Sequence, residues 1–205
     1  KLFRSALPLP SDLIPAEITW PPTTIIDLRS EGETSREPQH PMASAGVVVH
    51  NIPLLTELKP GDVPPTTLVD LYQYVLKSTS DRLVNVVDTV ATASGATLVH
   101  CAVGKDRTGI SIAMVLTLLG VPREAIVSDY LETANNTDAI IARLHLMNGG
   151  AFPPASSDFL RTPAEAIEGV LDVWDSHAQG ATGWFKEAGG NDNTVDRLRD
   201  SMVKK

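Results

Sequence analysis

Apolar and polar positions change their spacing several times along this chain, and each change predicts an element. Thr23 to Ser30 (TTIIDLRS) and Val47 to Leu54 (VVVHNIPL) are short runs rich in β-branched residues and read as buried strands. Glu31 to Met42 between them is polar and carries Gly32, Pro38 and Pro41, which predicts a loop; Thr56 to Pro65, with Pro60-Gly61 and Pro64-Pro65, predicts a second. Thr66 to Lys77 and Asp81 to Ala93 read as helices. In the latter, Leu83, Val86, Val87, Val90 and Ala91 recur at the spacing of a core-facing stripe. Gly95 ends that helix, and Ala96 to His100 is the next strand.

The second half is helical. Ile110 to Leu119 is apolar, Gly120-Val121-Pro122 supplies a C-terminal glycine and a proline at the next helix start, and Pro122 to Thr133 and Thr137 to Met147 follow. Asn148 to Ser157, with Pro153-Pro154, reads as a flexible connection. Thr162-Pro163-Ala164-Glu165 reads as a capping box with proline at the first helical position, ahead of an apolar stripe at Ile167, Val170, Leu171 and Trp174. Gly180, Gly183, Gly189 and Gly190 divide the tail into short helices. Strands early and between helices, then a helical C-terminal half, indicate an α/β sandwich with a mostly parallel central sheet flanked by helices. With no repeat, low-complexity block or domain boundary, residues 1–205 read as a single domain.

Composition narrows the function classes. A net charge of −8 argues against nucleic acid as a partner, because phosphate backbones call for a basic face. No apolar run reaches the roughly 20 residues of a transmembrane helix. The start lacks a signal-peptide apolar region, but the missing initiator Met leaves room for a trimmed upstream segment, so secretion stays open. One cysteine excludes an internal disulfide and suits a reducing compartment such as the cytoplasm. The histidines (His40, His50, His100, His145, His177) show no ligand spacing, so no metal and no cofactor is expected. Oligomeric state is not legible.

The chemistry concentrates in His100-Cys101-Ala102-Val103-Gly104-Lys105-Asp106-Arg107-Thr108-Gly109. The lone cysteine is followed, after five residues, by an arginine. A strand leads in and a helix leads out. A strand, a glycine-bearing turn and a helix start aim backbone N–H groups, and the positive end of the helix dipole, at one spot. That is an anion cradle over residues 102 to 107, with Cys101 at its base where thiolate is favoured over thiol. Arg107 closes it with a planar fork suited to two phosphate oxygens. A nucleophile, a cradle and a clamp in one loop point to phosphoryl transfer through a cysteinyl-phosphate.

At these residues the chain resembles the cysteine-dependent protein tyrosine phosphatase superfamily, whose signature is His-Cys-x5-Arg-Ser/Thr. HCAVGKDRTG is similar to the branch with Gly-Lys-Asp inside the loop, which contains bacterial and fungal phosphatases accepting phosphotyrosine, phosphoserine/threonine and phosphoinositides. Phe3-Arg4-Ser5, Ile26-Asp27-Leu28-Arg29-Ser30 with Glu31 and Glu33, and Asp129-Tyr130-Leu131 extend the likeness in order and spacing. The resemblance implies a metal-independent phosphatase whose partner is a phosphorylated protein, a phosphoinositide or a small phosphorylated metabolite such as a sugar or nucleotide. A phosphate-binding pseudoenzyme and a thiol redox protein are the rivals, the latter disfavoured by the absence of a second cysteine.

Several side chains carry two readings. Adjacent strand residues point to opposite faces, so His100 holds the loop in shape rather than relaying a proton to Cys101. Thr108 is either a plain helix-start hydroxyl or, as the resemblance favours, a donor to the cysteine sulfur. Lys105 either solvates the loop rim or meets extra negative charge on substrate. Asp106 is either a structural partner of a nearby cation or the general acid. No Trp-Pro-Asp tripeptide occurs; Asp62, in the Lys59 to Pro65 loop, is the positional alternative for the acid and Glu57 a weaker one. Asp27 and Arg29 pair beneath the site, and Asp129 and Tyr130 pack and hydrogen-bond.

Overall fold

The computed structural model describes residues 1–14, 16–18, 20–35, 39–44, 46–55, 61, 63–147 and 158–203. Four strands, β1 (Leu2–Ser5), β2 (Thr24–Asp27), β3 (Val48–Asn51) and β4 (Thr97–His100), form a sheet in the order β1-β4-β2-β3. All three pairings are parallel, with Ser5 and Asp27 opposite His100 and Asn51 opposite Asp27. The carboxyl ends of the strands are therefore in line, and the loops leaving them share one edge of the sheet, where α/β proteins build their sites.

The two central strands, TIID and TLVH, are buried at every position, as a parallel strand covered on both faces must be. β3 differs from the sequence expectation. Its edge position leaves it largely exposed, with Val48 55 % accessible. β1 was not expected as a strand: LFRS has no β-branched residue, and pairing to β4 makes it one. The segment 31–42 is also not all loop. A single turn, α1 (Glu31–Thr34), opens on a Ser30/Glu33 capping box.

Helices α2 (Leu68–Ser78) and α3 (Ser80–Thr92) follow β3 and match the expected pair, with the α3 stripe from Leu83 to Ala91 buried. After β4 comes α4 (Asp106–Leu118), buried almost all round from Thr108 to Val115. A helix with apolar residues on every side belongs in a core. It ends in a Schellman turn at Gly120 (φ 77°), where Gly120 N–H donates to Thr117 O and Val121 N–H to Leu116 O. α5 (Arg123–Leu131) passes into a 3₁₀ turn (Glu132–Asn136) and then α6 (Thr137–Met147).

After a short turn at Asp158–Leu160, α7 (Ala164–Asp175), α8 (Gly180–Glu187) and α9 (Asp192–Met202) complete the chain; α7 packs on α2 and α9 on α3. The expected capping box at Thr162 does not form. Pro163, with ψ 139°, occupies the cap itself and no side chain caps α7. Its stripe at Ile167, Val170, Leu171 and Trp174 is buried as expected. The connection expected at 148–157 lies outside the described residues. Among the described residues, no helix is long and apolar enough to cross a membrane.

Candidate active site

The loop leaving β4 is held from behind. Cys101 O accepts from His100 Nδ1 at 3.0 Å, and Ala102 O accepts from Leu7 N–H at 3.1 Å. Both carbonyls are tied outside the loop. In a trans peptide the N–H lies opposite the C=O, so the amides of Ala102 and Val103 turn the other way, into the cradle. Gly104 permits the turn. Its φ is 72°, and a Cβ there would lie 2.5 Å from the backbone of Ser5 and 2.6 Å from that of Ala6. Cys101 is buried at the base, and its Sγ accepts from Gly104 N–H at 3.3 Å. The N-cap residue of α4, Lys105, makes no side-chain cap bond to the helix.

Arg107 is preset. Its Nη1 and Nη2 donate to Glu33 Oε2 and Oε1 at 2.6 and 2.9 Å, and Nη1 also donates to Leu28 O at 3.4 Å. A guanidinium has five N–H donors. The two left are Nε–H and the second Nη2–H, which form the side edge suited to two phosphate oxygens. Glu33 is itself fixed: Ser30 N–H and Oγ donate to Oε2 at 2.8 and 2.9 Å. Burial would raise the Glu33 carboxyl, but hydrogen bonds and charge from Arg107, then Ser30, outweigh it and bring the value down to about 2. Burial likewise opposes the Arg107 charge, while the thiolate form of Cys101 and Glu33 raise its pKa above the usual arginine value.

Beneath the loop, Arg29 Nε and Nη2 donate to Asp27 at 2.9 to 3.1 Å, both residues buried, as the sequence implied. His40 and His100 meet beside them, Nε2 to Nε2 at 2.9 Å, and Met42 N–H donates to His40 Nδ1 at 3.1 Å. An amide donates and a carbonyl accepts, so the chain has one direction. Met42 N–H donates to His40 Nδ1, His40 Nε2–H to His100 Nε2, and His100 Nδ1–H to Cys101 O. Both rings are thus neutral with a defined tautomer. Burial above all, aided by the charge of Arg29, pushes His100 down to about 4 despite Asp27 and the Cys101 carbonyl.

The sequence offered no histidine spacing for a metal, yet ligand atoms of Asp27, His40 and His100 lie within 4.8 Å of one another. Their geometry is that of a hydrogen-bonded cluster. Two nitrogens on one tetrahedral ion at about 2.0–2.1 Å sit roughly 3.3 Å apart, His40 Nε2 carries the proton donated to His100, and both Asp27 oxygens are held by Arg29.

Lys105 is not a solvated rim residue. It is 3 % exposed, and its Nζ donates to Phe159 O and Arg161 O at 2.5 and 2.8 Å and lies 3.4 Å from Asp106 Oδ1. It ties the loop to the segment before α7. Asp106, at the start of α4, accepts from Tyr72 Oη at 2.8 Å. Thr108 Oγ1 is buried and, among the described residues, has no hydrogen-bond partner. Asp62 and Glu57 lie outside the described residues. Arg4 joins β1 to the loop and α5, donating to Asp129 Oδ2 at 2.6 Å, to Gly104 O at 3.5 Å and to Thr133 Oγ1. The sequence reading gave neither Glu33 nor Arg4 a role. The Ser30-x-x-Glu33 capping spacing was the available signal for Glu33; nothing local signalled Arg4.

Residues 12–204 match the model of a family described as "Tyrosine phosphatase family". The chain is 30 % identical over 156 residues to the triple specificity protein phosphatase PtpB of Mycobacterium tuberculosis, covering 69 % of this chain and 56 % of that protein. It is 30 % identical over 143 residues to a tyrosine-protein phosphatase of Nostoc commune, covering 66 % and 49 %. The chain thus spans about half the length of these curated relatives.

Two measurements check this description. Glu33→Gln removes the charge that orients Arg107, and inorganic phosphate binding by calorimetry weakens about tenfold; unchanged affinity would make Glu33 dispensable. His100 titrates near 4 when folded against 6.5 for the free side chain. Above pH 6.5 it is neutral in both states. Between 6.5 and 4 the unfolded chain takes up a proton that the folded chain refuses, so stability falls by about 3 kcal/mol on acidification. Urea midpoints at pH 7 and pH 4.5 show a smaller drop for His100→Asn than for the wild type, and equal drops would count against the buried neutral imidazole.

Proposed function

Since the chain belongs to the tyrosine phosphatase family, we propose that it hydrolyses phosphate monoesters through a cysteinyl-phosphate formed on Cys101, as a single domain over residues 1–205. The observation that carries this reading is the preset loop: outward carbonyls at Cys101 and Ala102, and an Arg107 whose side edge is left open by Glu33. The amides of residues 102 to 107 and that open edge hold the three equatorial oxygens. Cys101 Sγ attacks phosphorus, a P–S bond forms, and the bond from phosphorus to the leaving oxygen breaks. Asp106 protonates that oxygen. Its carboxylate then takes a proton from water, which attacks phosphorus and releases phosphate and thiolate. Thr108 Oγ1, buried and without a partner among the described residues, is the donor available to the departing sulfur.

Phosphorylated proteins are the favoured substrates, in line with the name of the mycobacterial relative. A phosphoinositide or a small phosphorylated metabolite remains in the same chemical class. The burial of Lys105, with its ammonium on two carbonyls, removes one argument for a multiply charged headgroup. The lone free thiol supports a reducing, cytoplasmic setting.

Turnover of p-nitrophenyl phosphate with chelator present is the direct test. The wild type turns over, vanadate blocks it, and Cys101→Ser abolishes it while still binding phosphate; activity of Cys101→Ser within tenfold of wild type would end the covalent mechanism. Binding without turnover by the wild type would instead make the chain a phosphate reader. The acid is tested by leaving group. Asp106→Asn lowers kcat/KM for alkyl phosphates by about 10²–10⁴-fold and for p-nitrophenyl phosphate far less, because nitrophenolate departs without a proton. A larger selective loss in Asp62→Asn would move the acid to that residue.

A further inference from the structure

Two buried tyrosines from different helices form a hydrogen-bonded chain whose inner member ends on one oxygen of Asp106. Tyr72 on α2 and Tyr130 on α5 are 0 % and 1 % exposed, and their rings meet edge-on with centroids 6.2 Å apart. Tyr72 Oη lies 2.8 Å from Asp106 Oδ1 and 2.7 Å from Tyr130 Oη. A carboxylate has no proton to offer, so Tyr72 donates its one proton to Asp106. In the contact between the phenols, Tyr130 must then be the donor. The direction is fixed: Tyr130 to Tyr72 to Asp106.

Both phenols remain donors throughout. Burial first, with the Asp106 charge also acting, raises both well above the ordinary tyrosine value. Lys105 Nζ is the second group on Asp106 Oδ1, at 3.4 Å. Among the described residues no hydrogen bond reaches Oδ2. A proton arriving at a carboxyl whose Oδ1 already faces two donors goes to the other oxygen. The Asp106 carboxyl group is itself partly solvated and needs no tyrosine to satisfy its oxygens.

We propose that Tyr72, backed by Tyr130, is a positioning residue that holds Asp106 by Oδ1 so that Oδ2 carries the proton exchanged with the leaving oxygen and then with water. The inference rests on the reading of Asp106 as the general acid. Because the donors approach Oδ1 alone, the network is the same whether Oδ2 is protonated or not. Asp106 therefore passes from acid in the first step to base in the second without rebuilding its contacts.

The test measures kcat and KM for p-nitrophenyl phosphate, phenyl phosphate and phosphoserine with wild type, Tyr72→Phe, Asp106→Asn and the double variant. Tyr72→Phe keeps the ring and removes the donor. Its kcat/KM, which covers only the steps up to formation of the cysteinyl-phosphate, falls about tenfold on phosphoserine and less than threefold on p-nitrophenyl phosphate. Added to Asp106→Asn it costs nothing further, as expected of two residues acting through one group. Uniform losses of kcat/KM on all substrates, or a full additional loss in the double variant, would reduce Tyr72 to packing and overturn the inference. Should Asp106→Asn itself show no dependence on leaving group, the acid reading fails and this inference with it. A selective loss in Asp106→Asn without one in Tyr72→Phe overturns the tyrosine role alone. If Tyr72→Phe does not fold, Tyr130→Phe decides: a smaller loss confined to poor leaving groups supports the network, and none or a uniform one overturns it.

Discussion

Everything at this site depends on where two carbonyls go. A loop of five residues between a strand and a helix has as many C=O groups as N–H groups, and with random peptide orientations it would be no friend to an anion. Here Cys101 O is taken by His100 and Ala102 O by Leu7. Planarity of the peptide then turns the following amides inward. The strand order explains how this is possible. β4 lies between β1 and β2, so the segment after β1 supplies Leu7 on one side, and Asp27 and Arg29 at the end of β2 underpin His100 on the other. Gly104 is the one loop position where close approach to Ser5 and a positive φ both demand glycine.

The second constraint is charge. A chain of net charge −8 must attract an anion with local groups, and among the described residues most cations beside the loop are already engaged. Arg29 is on Asp27, Arg4 on Asp129 and Lys105 on backbone carbonyls. Each of these stiffens the frame. Arg107 differs, because its contacts with Glu33 use one edge of the fork and leave the other. Glu33 offsets the cost of burying the guanidinium and orients the edge that remains.

How much of this was legible follows from how local each feature is. The loop, the helix after it and the stripe at Leu83 to Ala91 are defined by residues within a few turns of one another, and they appear where the sequence puts them. The burial of β3 was misjudged because VVVHNIPL has the composition of a central strand, and only long-range pairing decides which strand is the edge. α1 hid in a polar segment whose glycine and prolines signal loop, although Ser30 and Glu33 have capping-box spacing. The partners Glu33 and Arg107, His40 and His100, and Tyr72 and Asp106 are separated by 74, 60 and 34 residues. Neither propensity nor periodicity carries information over such distances. Lys105 was misplaced for a related reason, since the carbonyls of Phe159 and Arg161 that draw it inward belong to a segment beyond α6.

These separations have a functional consequence. The loop is short, but the groups that fix its carbonyls, Arg107 and Asp106 come from four other parts of the chain: the segment after β1, the segment after β2, α2 and the stretch before α7. Each approaches a different atom: Leu7 the Ala102 carbonyl, Glu33 the guanidinium, Tyr72 the Asp106 carboxylate, Phe159 and Arg161 the Lys105 ammonium. None of these contacts uses Arg107 Nε–H, and the Ala102 and Val103 amides point into the cradle, opposite the tied carbonyls. An anion therefore enters without displacing a support. Loop preorganisation is in this sense a property of the whole fold, and the cost of orienting the cradle is met when the chain folds rather than when substrate binds.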